Sequence, residues 1–331
     1  MLTQVRSRWN FRMAVMRAVR TDVAQPPGER DVVVLPCWRR PEFLWHCLDN
    51  LSQADGILDL QVIVRLDTGY LQDNLDVIRS FSERIPHLQI QYPQPCPFRR
   101  TKQSANVLLG YLQAAAVARR FVFLVEEDIM VARDFFRWHR AVHAQQPRLF
   151  CSIAARNPNR DVAVPHEVGG YYRSTSDYCS LGVCLDRRII TGLIAAHVNM
   201  QYFGKPKRYL RRHFPASAVS LGFVEQDGLI RRIQEKSQLP LAYPCMPRAF
   251  HAGFYGYNRP GGIDGSLQER IRILAGTIYD RDAMRCAAGR PEFIDSCRPC
   301  DLHTPDWHVV RQIHLPADET PVLAEPLAAV P

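Results

Sequence analysis

The 331-residue sequence predicts an α/β fold: a mainly parallel central sheet with helices on both faces, plus an N-terminal helix and a C-terminal extension. From residue 31 onward, short apolar runs alternate with amphipathic helical patterns, and this alternation is typical of parallel sheets. The longest apolar runs are only strand-sized, so no membrane-spanning helix is predicted. A chain of this length can bury a large core without help from disulfides or metal.

Residues 2–20 predict a basic amphipathic helix, and residues 24–30 predict a linker. Five arginines lie between the apolar positions, and no acid precedes Asp22. Three roles remain open: docking on the rest of the fold or on a second subunit of a homodimer, contact with a membrane or nucleic-acid surface, and an organelle presequence. The apolar residues that recur at helical spacing are Leu2, Val5, Trp9, Met13, Met16 and Val19.

Strands and helices then follow one another in regular order. Ligands of such sheets bind at the carboxyl ends of the strands, so the polar residues at those ends are the candidate functional residues. The sequence predicts strands over 31–37, 60–67, 87–92 and 121–128, and helices over 41–53, 74–85 and 104–120. Later elements are less regular: a strand over 149–157, helices over 185–198 and 224–236, a basic segment over 204–214 and a glycine-rich loop over 248–262.

The charge of the chain indicates anionic partners. Lysine and arginine total 42 against 33 acids, which gives a net charge of +9, and only four of the basic residues are lysines. Arginine prefers planar phosphate and carboxylate groups. The excess therefore favours a nucleotide, a nucleic acid or a membrane surface as partner, with arginine-rich codon usage as the alternative.

The cysteines and the N-terminus predict a cytoplasmic location, with membrane association left open. Most of the ten cysteines lie scattered in apolar contexts, as expected of reduced core residues. The N-terminus lacks the apolar core of a signal peptide. Near the C-terminus, a further group predicts either a structural zinc site or ordinary reduced thiols: Cys286, Cys297, Cys300, His303, His308 and His314.

Three consecutive acids, Glu126, Glu127 and Asp128, directly follow a buried apolar strand. Adjacent carboxylates cannot all leave water without compensating charge. A divalent metal bound to nucleotide phosphates would supply that charge, and oxygen ligands suit Mg²⁺ or Mn²⁺. The alternative is a polar strand end that merely starts a turn.

Two further positions are candidates for catalysis. Glu225 and Asp227 begin a predicted helix, where the helix dipole stabilises acids, and either interpretation fits: simple helix stabilisation or a general base for a hydroxyl. His251 stands beside Gly253 in the glycine-rich loop, where it would ligate a metal or bind phosphate, or simply be a satisfied loop residue.

The first two strand ends carry charged residues suited to a nucleotide. Arg39 and Arg40 follow the first strand, and Asp67 ends the second, where it would accept hydrogen bonds from a base or ribose. Ordinary surface charge is the alternative for all three.

Together these motifs resemble GT-A-fold glycosyltransferases, and most closely the N-acetylglucosaminyltransferase I and O-mannose N-acetylglucosaminyltransferase family. The resemblance covers about residues 31–258. FVFLVEEDIMVARDFFRWH resembles the metal motif of that family, VEQDGLIRR its catalytic helix and RAFHAGFYG its closing loop. The chain differs from the family at Glu127, where the family has Asp, at Arg133, where it has Pro, and at Glu225–Gln226, where it has Trp-Asp.

The resemblance implies a Rossmann-like GT-A fold and a metal-dependent, inverting glycosyltransferase that uses Mn²⁺ or Mg²⁺ and a nucleotide-sugar donor, with a UDP-sugar favoured. It implies that Asp128 binds the metal and that Asp227 is the catalytic base, with Glu225 beside it. It implies donor contacts for Arg39, Asp67, Lys102, Glu126, Glu127 and His251.

The implied organisation has four parts: the helix and linker over 1–30, a nucleotide-sugar-binding half over 31–130, an acceptor-binding and catalytic half over 131–275, and the extension over 276–331. The basic segment, with Arg231 and Arg232, favours an anionic acceptor: an acidic glycan, a lipid-linked sugar, or DNA with a hydroxymethylated base. A non-catalytic module that binds nucleotide-sugars or glycans is the alternative from another functional class.

Overall fold

An eight-stranded mixed sheet forms the centre of the computed structural model, which describes residues 2–21, 28–155, 171–175, 178–244, 248–253 and 262–275. The strands are β1 Val32–Cys37, β2 Gln61–Leu66, β3 Leu88–Gln91, β4 Phe121–Leu124, β5 Ile129–Val131, β6 Cys151–Ile153, β7 Tyr171–Ser174, β8 Val183–Asp186, β9 Leu241–Pro244 and β10 Ala249–His251. The helices are α1 Leu2–Thr21, α2 Pro41–Leu51, α3 Gln72–Ser80, α4 Lys102–Val117, α5 Phe135–Gln145, α6 Arg187–Ile189, α7 Met200–Gly204, α8 Pro206–His213 and α9 Gln226–Ser237.

The sheet has the strand order β3-β2-β1-β4-β8-β6-β9-β7. Strands β3, β2, β1 and β4 are parallel, whereas β8 runs antiparallel to both β4 and β6. Strand β9 is parallel to β6, and β7 closes the edge in the antiparallel direction. Strands β5 and β10 form a separate antiparallel pair. The fully parallel half, formed by β3, β2, β1 and β4, is the part of the sheet for which the sequence shows regular alternation of strands and helices.

Helices cover both faces of this sheet. In β1, Val32 and Val34 enter the core that contains side chains of α1 and α4, while Val33 and Leu35 enter the core built with α2 and α5. Burial on both faces explains why β1 reads as a continuous apolar run rather than as an alternating one. The predicted α/β fold class, with helices on both faces, is confirmed by this arrangement.

The parallel register brings the polar strand ends to one edge. Cys37 pairs with Leu66, and Val34 pairs with Leu124, so the residues that follow β1, β2 and β4 emerge side by side. Only three residues separate the end of β1 from Pro41, which lies in the first turn of α2, where the missing N–H of proline costs no helical hydrogen bond. The chain therefore turns away after Arg40 and leaves that edge of the sheet open.

Helix α1 docks on the body of the fold, which is one of the three roles that the sequence left open. Phe11, Val15 and Ala18 are buried, and the Phe11 ring lies 5.2 Å from the ring of Phe203. Trp9, one of the apolar residues that recur at helical spacing, is 59% exposed. The helix therefore carries apolar residues on two faces, and sequence spacing alone does not show which face meets the fold.

Several element boundaries also differ from prediction. The predicted helix over 185–198 begins later, because Leu185 and Asp186 belong to β8 and Asp186 caps the backbone N–H of Arg188. The helix then continues as a π-helical turn, Ile190–Ile194, and a 3₁₀ turn, Ala195–His197. The predicted strand over 149–157 is a strand only over β6.

Other predictions concern parts of the chain that the structure describes only in part. The sheet continues across the predicted boundary at residue 130, since β4 pairs with β8, and the four-part organisation stays a prediction. The six cysteines whose placement is described are all free thiols. No helix within the described ranges is both long enough and apolar enough to cross a bilayer. Residues 24–27, 156–159, 254–261 and 276–331, with the C-terminal cysteines and histidines, lie outside the described residues.

Candidate functional site

The candidate site lies at the carboxyl ends of β1, β2 and β4. Arg40 links two of the three acids that follow β4: its Nε is 2.7 Å from Glu127 Oε1, and its Nη1 is 2.8 Å from Asp128 Oδ2. The backbone N–H of Trp38 also donates to Glu127, over 2.8 Å. Arg40 thus supplies part of the positive charge that the buried acids need, a charge that the sequence alone suggested would come from a metal.

The three acids titrate differently because their surroundings differ. Burial raises the pKa of Glu127, and the charge of Arg40 opposes that rise. Burial would also raise the pKa of Asp128, but the contacts with His251 and Arg40 outweigh it and hold that pKa well below its usual range. Although burial favours a neutral guanidinium, the attraction of Glu127 and Asp128 raises the pKa of Arg40, so Arg40 stays charged.

Strand β10 brings His251 to Asp128 across 123 positions of sequence. His251 pairs with Ile129 in the β5–β10 ladder, and the N–H of Ala252 donates to the Asp128 carbonyl over 2.8 Å. His251 Nε2 then lies 3.4 Å from Asp128 Oδ2. A Cβ on Gly253 would overlap the Asp128 carboxylate and lie 2.8 Å from His251 Nε2, so any larger residue would force one of these side chains to move.

A divalent cation, which the resemblance implies, fits Asp128 and His251. Asp128 Oδ1 is buried and accepts no hydrogen bond within the described part of the chain, so this oxygen is available as a ligand. No group of three or more ligating side chains converges in the residues that the structure describes. Mg²⁺-type ions need only one or two carboxylates when phosphate oxygens and water complete the coordination. The donor set therefore suits a cation that is shared with a bound diphosphate.

Asp227 lies in the first turn of α9 in a less charged environment. Ser180 Oγ donates to Asp227 Oδ2 over 3.1 Å, while Oδ1 is buried and has no hydrogen-bond partner among the described residues. Burial raises the pKa of Asp227 to about 6, the Ser180 hydrogen bond opposes the rise, and the charge of Glu225 adds to it. Asp227 is therefore able to exchange a proton near neutral pH.

The surroundings of Asp227 also include two buried tyrosines and an acid from the metal side. The hydroxyls of Tyr111 and Tyr178 lie 3.4 Å apart, and the negative charge of Asp227 adds to burial in raising the pKa of each. Burial, followed by repulsion from Asp128 and then from Asp227, raises the pKa of Glu126. Glu126 thus interacts with both aspartates and connects their two environments.

A third group gathers at Thr68, where β2 ends. The Nζ of Lys102 and the Nε1 of Trp38 both donate to the Thr68 carbonyl over 3.1 Å. The Thr68 N–H donates to Asp67 over 2.5 Å, and both that bond and Lys102 oppose the rise in the pKa of Asp67 that burial causes. This corner combines a carboxylate, an ammonium and an indole edge, which suits a polar ring such as a base or ribose.

The remaining predicted residues lie further out. Arg39 is exposed, and its guanidinium carbon lies 5.8 Å from the centroid of the Trp38 ring. Arg40, its neighbour in sequence, is the arginine that reaches the acids. Glu225 is half-buried and accepts a hydrogen bond from the N–H of Val224 over 3.0 Å.

Sequence reasoning missed Ser180 and misassigned Arg232. Ser180 is 47 positions from Asp227, and no local pattern connects them. Arg232, expected to contribute surface charge for an acceptor, is only 1% exposed. Its guanidinium instead donates to four backbone carbonyls, those of Val219, Ser220, Phe223 and Gly228, and so holds the segment that precedes α9.

Neither a scan against protein-family models nor a search of curated proteins gave a match. Among solved structures, TarS 1-349 of S. aureus in complex with UDP-GlcNAc matches with a TM-score of 0.43 and 11% identity, over 76% of this chain and 66% of that chain. The mannosyltransferase PcManGT from Pyrobaculum calidifontis, in complex with GDP-Man and Mn²⁺, matches with a TM-score of 0.42 and 14% identity, over 94% of both chains.

The galactosyltransferase LgtC, in complex with donor and acceptor sugar analogues, matches with a TM-score of 0.39 and 10% identity, over 64% of this chain and 72% of that chain. Another TarS structure has only 39% of its length spanned by this chain. All these TM-scores lie below 0.5.

Proposed function

We propose that the protein is a metal-dependent, inverting glycosyltransferase that moves a sugar from a nucleotide-sugar, with a UDP-sugar favoured, to a hydroxyl acceptor. One observation carries the proposal. Two aspartates, Asp128 and Asp227, each keep a buried Oδ1 with no hydrogen-bond partner in the described residues, and Glu126 interacts with both. Asp128 stands beside the cationic Arg40 and suits binding, whereas Asp227 is buried beside the Ser180 hydroxyl and near the acid Glu225, which suits proton transfer. The resemblance to the N-acetylglucosaminyltransferase I family supports the same assignment.

The donor would bind across the ends of β1, β2 and β4. Asp67 and Lys102 would contact the base and ribose from the Thr68 corner, and Arg39 would reach them from beside the Trp38 ring. Asp128 and His251 would hold the divalent cation, Mn²⁺ or Mg²⁺, and Glu126 and Glu127 would lie beside the ribose and the donor sugar. A bound cation would neutralise the charge that the diphosphate gains as it leaves.

Asp227 would act as the general base. Its Oδ1 would accept the proton of the acceptor hydroxyl while that oxygen attacks the anomeric carbon from the face opposite the diphosphate, which inverts the configuration. Ser180 holds the other oxygen of the carboxylate and so fixes its orientation. Glu225, two residues away, adds negative charge that keeps Asp227 basic.

Donor binding and turnover together test this function. A panel of UDP-sugars and other nucleotide-sugars, with and without Mn²⁺, would be screened by thermal shift and by release of the nucleoside diphosphate. We expect a Mn²⁺-dependent shift with one donor and slow diphosphate release that an acceptor accelerates. Binding without any release over a broad set of acceptors would favour the non-catalytic module, and no binding of any nucleotide-sugar would contradict the proposal.

A further inference from the structure

The positive charge of the chain is concentrated on two helices. Residues 2–21 carry five arginines and residues 205–213 carry five lysines or arginines, with no acid in either segment. The whole chain has a net charge of +9, so the rest of the chain carries a net charge of −1. The excess charge is therefore a property of α1 and of α8 with its preceding lysine.

Helix α1 forms one side of an apolar groove, and residues 196–201 together with Tyr209 and His213 of α8 form the other. The groove has a volume of about 930 Å³, with Trp9, Met16 and Val19 on one side and Met200, Tyr209 and His213 on the other. Val5 and Trp9, at the open end of α1, are 60% and 59% exposed. Arg8 and Arg12 line the groove among these apolar residues. On α8 and just before it, the exposed basic residues are Lys205, Lys207, Arg208, Arg211 and Arg212, which share this segment with the lining residues Tyr209 and His213 but do not line the groove themselves.

This apolar face of α1 adjoins the one that attaches the helix to the fold, and Val15 belongs to both. Phe11, Val15 and Ala18 already anchor α1 in the core, so the exposed positions of Val5 and Trp9 are not needed for docking. Exposed apolar side chains between arginines are the pattern of helices that lie in the interface of a bilayer. A tryptophan at such a position suits the headgroup level, where one edge of the ring is apolar and the other is hydrated.

We propose that the face formed by α1 and residues 196–213 binds the surface of a bilayer that contains anionic phospholipid. Charge complementarity identifies the occupant: basic residues attract anionic headgroups, while Val5, Trp9 and the groove take up the apolar region beneath them. A nucleic acid would satisfy the arginines and lysines but would leave the apolar groove without a partner.

The position of this bilayer-binding face also agrees with the proposed site. Met200 lines the groove, whereas the next residues of α7 turn inward: the hydroxyl of Tyr202 donates to the Val224 carbonyl over 2.9 Å, and the Phe203 carbonyl accepts from Thr101 over 2.9 Å. Val224 precedes Glu225, and Thr101 precedes Lys102. The short helix α7 thus connects the bilayer-binding face to the segments that carry Glu225, on the acceptor side of the proposed site, and Lys102, on its donor side. The binding of lipid by this face does not depend on the proposed function.

Vesicle flotation of the full-length protein tests the proposal. We expect the protein to float with vesicles of phosphatidylcholine that contain about one third phosphatidylglycerol and not with pure phosphatidylcholine. Trp9→Ala, and separately the double variant Arg211→Glu/Arg212→Glu, should each weaken binding tenfold or more. The tryptophan fluorescence of the wild type should shift to the blue when anionic vesicles are added, and that of Trp9→Ala should not.

Matched controls distinguish vesicle binding through this surface from nonspecific adsorption of the protein to vesicles. Leu58→Ala removes an apolar side chain of equal exposure, 59%, next to the opposite core of the sheet, and Arg148→Glu reverses an exposed charge outside α1 and residues 196–213. Both should bind vesicles like the wild type, and Trp9→Ala should keep the same thermal stability. Equal vesicle binding by Trp9→Ala, or absence of binding to anionic vesicles, would overturn the proposal. Binding to duplex DNA that is lost in Arg211→Glu/Arg212→Glu but kept in Trp9→Ala would overturn it in favour of a nucleic acid.

Discussion

Asp128 and Asp227 are the same residue type with the same local feature, a buried Oδ1 that accepts no hydrogen bond within the described residues. Their surroundings push their titration in opposite directions. Arg40 and His251 keep Asp128 ionised. Burial raises the pKa of Asp227 to about 6, and the single hydrogen bond from Ser180 only partly opposes this rise. The difference teaches that neighbours contributed by distant segments, rather than the residue itself, divide a site into a carboxylate that binds and one that exchanges a proton.

Replacement of the proton-exchanging member should have the largest effect. Asp227→Asn keeps the shape and the Ser180 contact but removes the base, so we expect kcat to fall by about 10²–10⁴-fold. Donor affinity should change little, because Asp227 lies apart from Asp128. Steady-state turnover and donor titration would be measured in parallel, with Asp76→Asn, an exposed carboxylate, as control. Full turnover in Asp227→Asn would show that another group is the base.

Removal of the Arg40 guanidinium, which lies beside Asp128, should destabilise the fold and not only slow the reaction. Arg40→Gln leaves Glu127 and Asp128 without their buried partner, and breaking such a pair costs about 3–5 kcal/mol of unfolding free energy. Arg39→Gln is the matched control, because Arg39 is exposed and its loss should change stability by less than about 0.5 kcal/mol. Urea unfolding of both variants gives the comparison, and equal stability of the two would refute the compensating role of Arg40.

The packing of the loop against Asp128 offers a steric test. Gly253→Ala would push the Asp128 carboxylate and His251 apart, and we expect the affinity for donor with Mn²⁺ to fall at least tenfold, or about 1.4 kcal/mol. Gly192→Ala adds the same methyl group where nothing lies within 4 Å, so it should bind like the wild type. Calorimetric titration checks both variants, and unchanged affinity in Gly253→Ala would mean that this contact does not serve binding.

The pH profile gives the smallest and most specific effect. A base must be deprotonated, so activity should be lost as pH falls through about 6, the pKa of Asp227. Ser180→Ala removes the hydrogen bond that lowers this pKa, and the acid limb of kcat/KM should move upward by about one pH unit.

The other groups that face Asp227 are Glu225 on its own helix, Glu126 after β4, and the buried Tyr111 and Tyr178, and none of them is changed by this substitution. Ser82→Ala, which removes an exposed hydroxyl, serves as control. An acid limb that stays in place in Ser180→Ala would exclude Asp227 as the group that titrates.

The sequence was most informative where function depends on strand ends. In a parallel sheet the polar residues that end β1, β2 and β4 must meet at one edge, so Asp67, Glu127 and Asp128 could be predicted from periodicity. Which of two adjacent arginines reaches the acids depends on backbone angles at the start of α2, and periodicity does not contain them.

The environment of Asp227 was beyond sequence reasoning for a related reason. Ser180 reaches it from the loop before β8, in the mixed half of the sheet, where strands pair antiparallel and sequence order no longer gives spatial order. The charge of Arg232 was misread because its burial among backbone carbonyls is a property of tertiary packing. The sequence spacing left the docking face of α1 open because the helix is apolar on two sides.

The most direct test of the central claim is a thermal-shift titration of nucleotide-sugars with Mn²⁺ on the wild type, Asp128→Asn and Asp227→Asn. A ligand at a hundredfold excess over its dissociation constant stabilises the native state by about 2.7 kcal/mol, which is readily detected. The account predicts a Mn²⁺-dependent shift in the wild type and in Asp227→Asn, and none in Asp128→Asn. A shift that survives in Asp128→Asn, or that disappears in Asp227→Asn alone, would contradict the division of roles between the two aspartates.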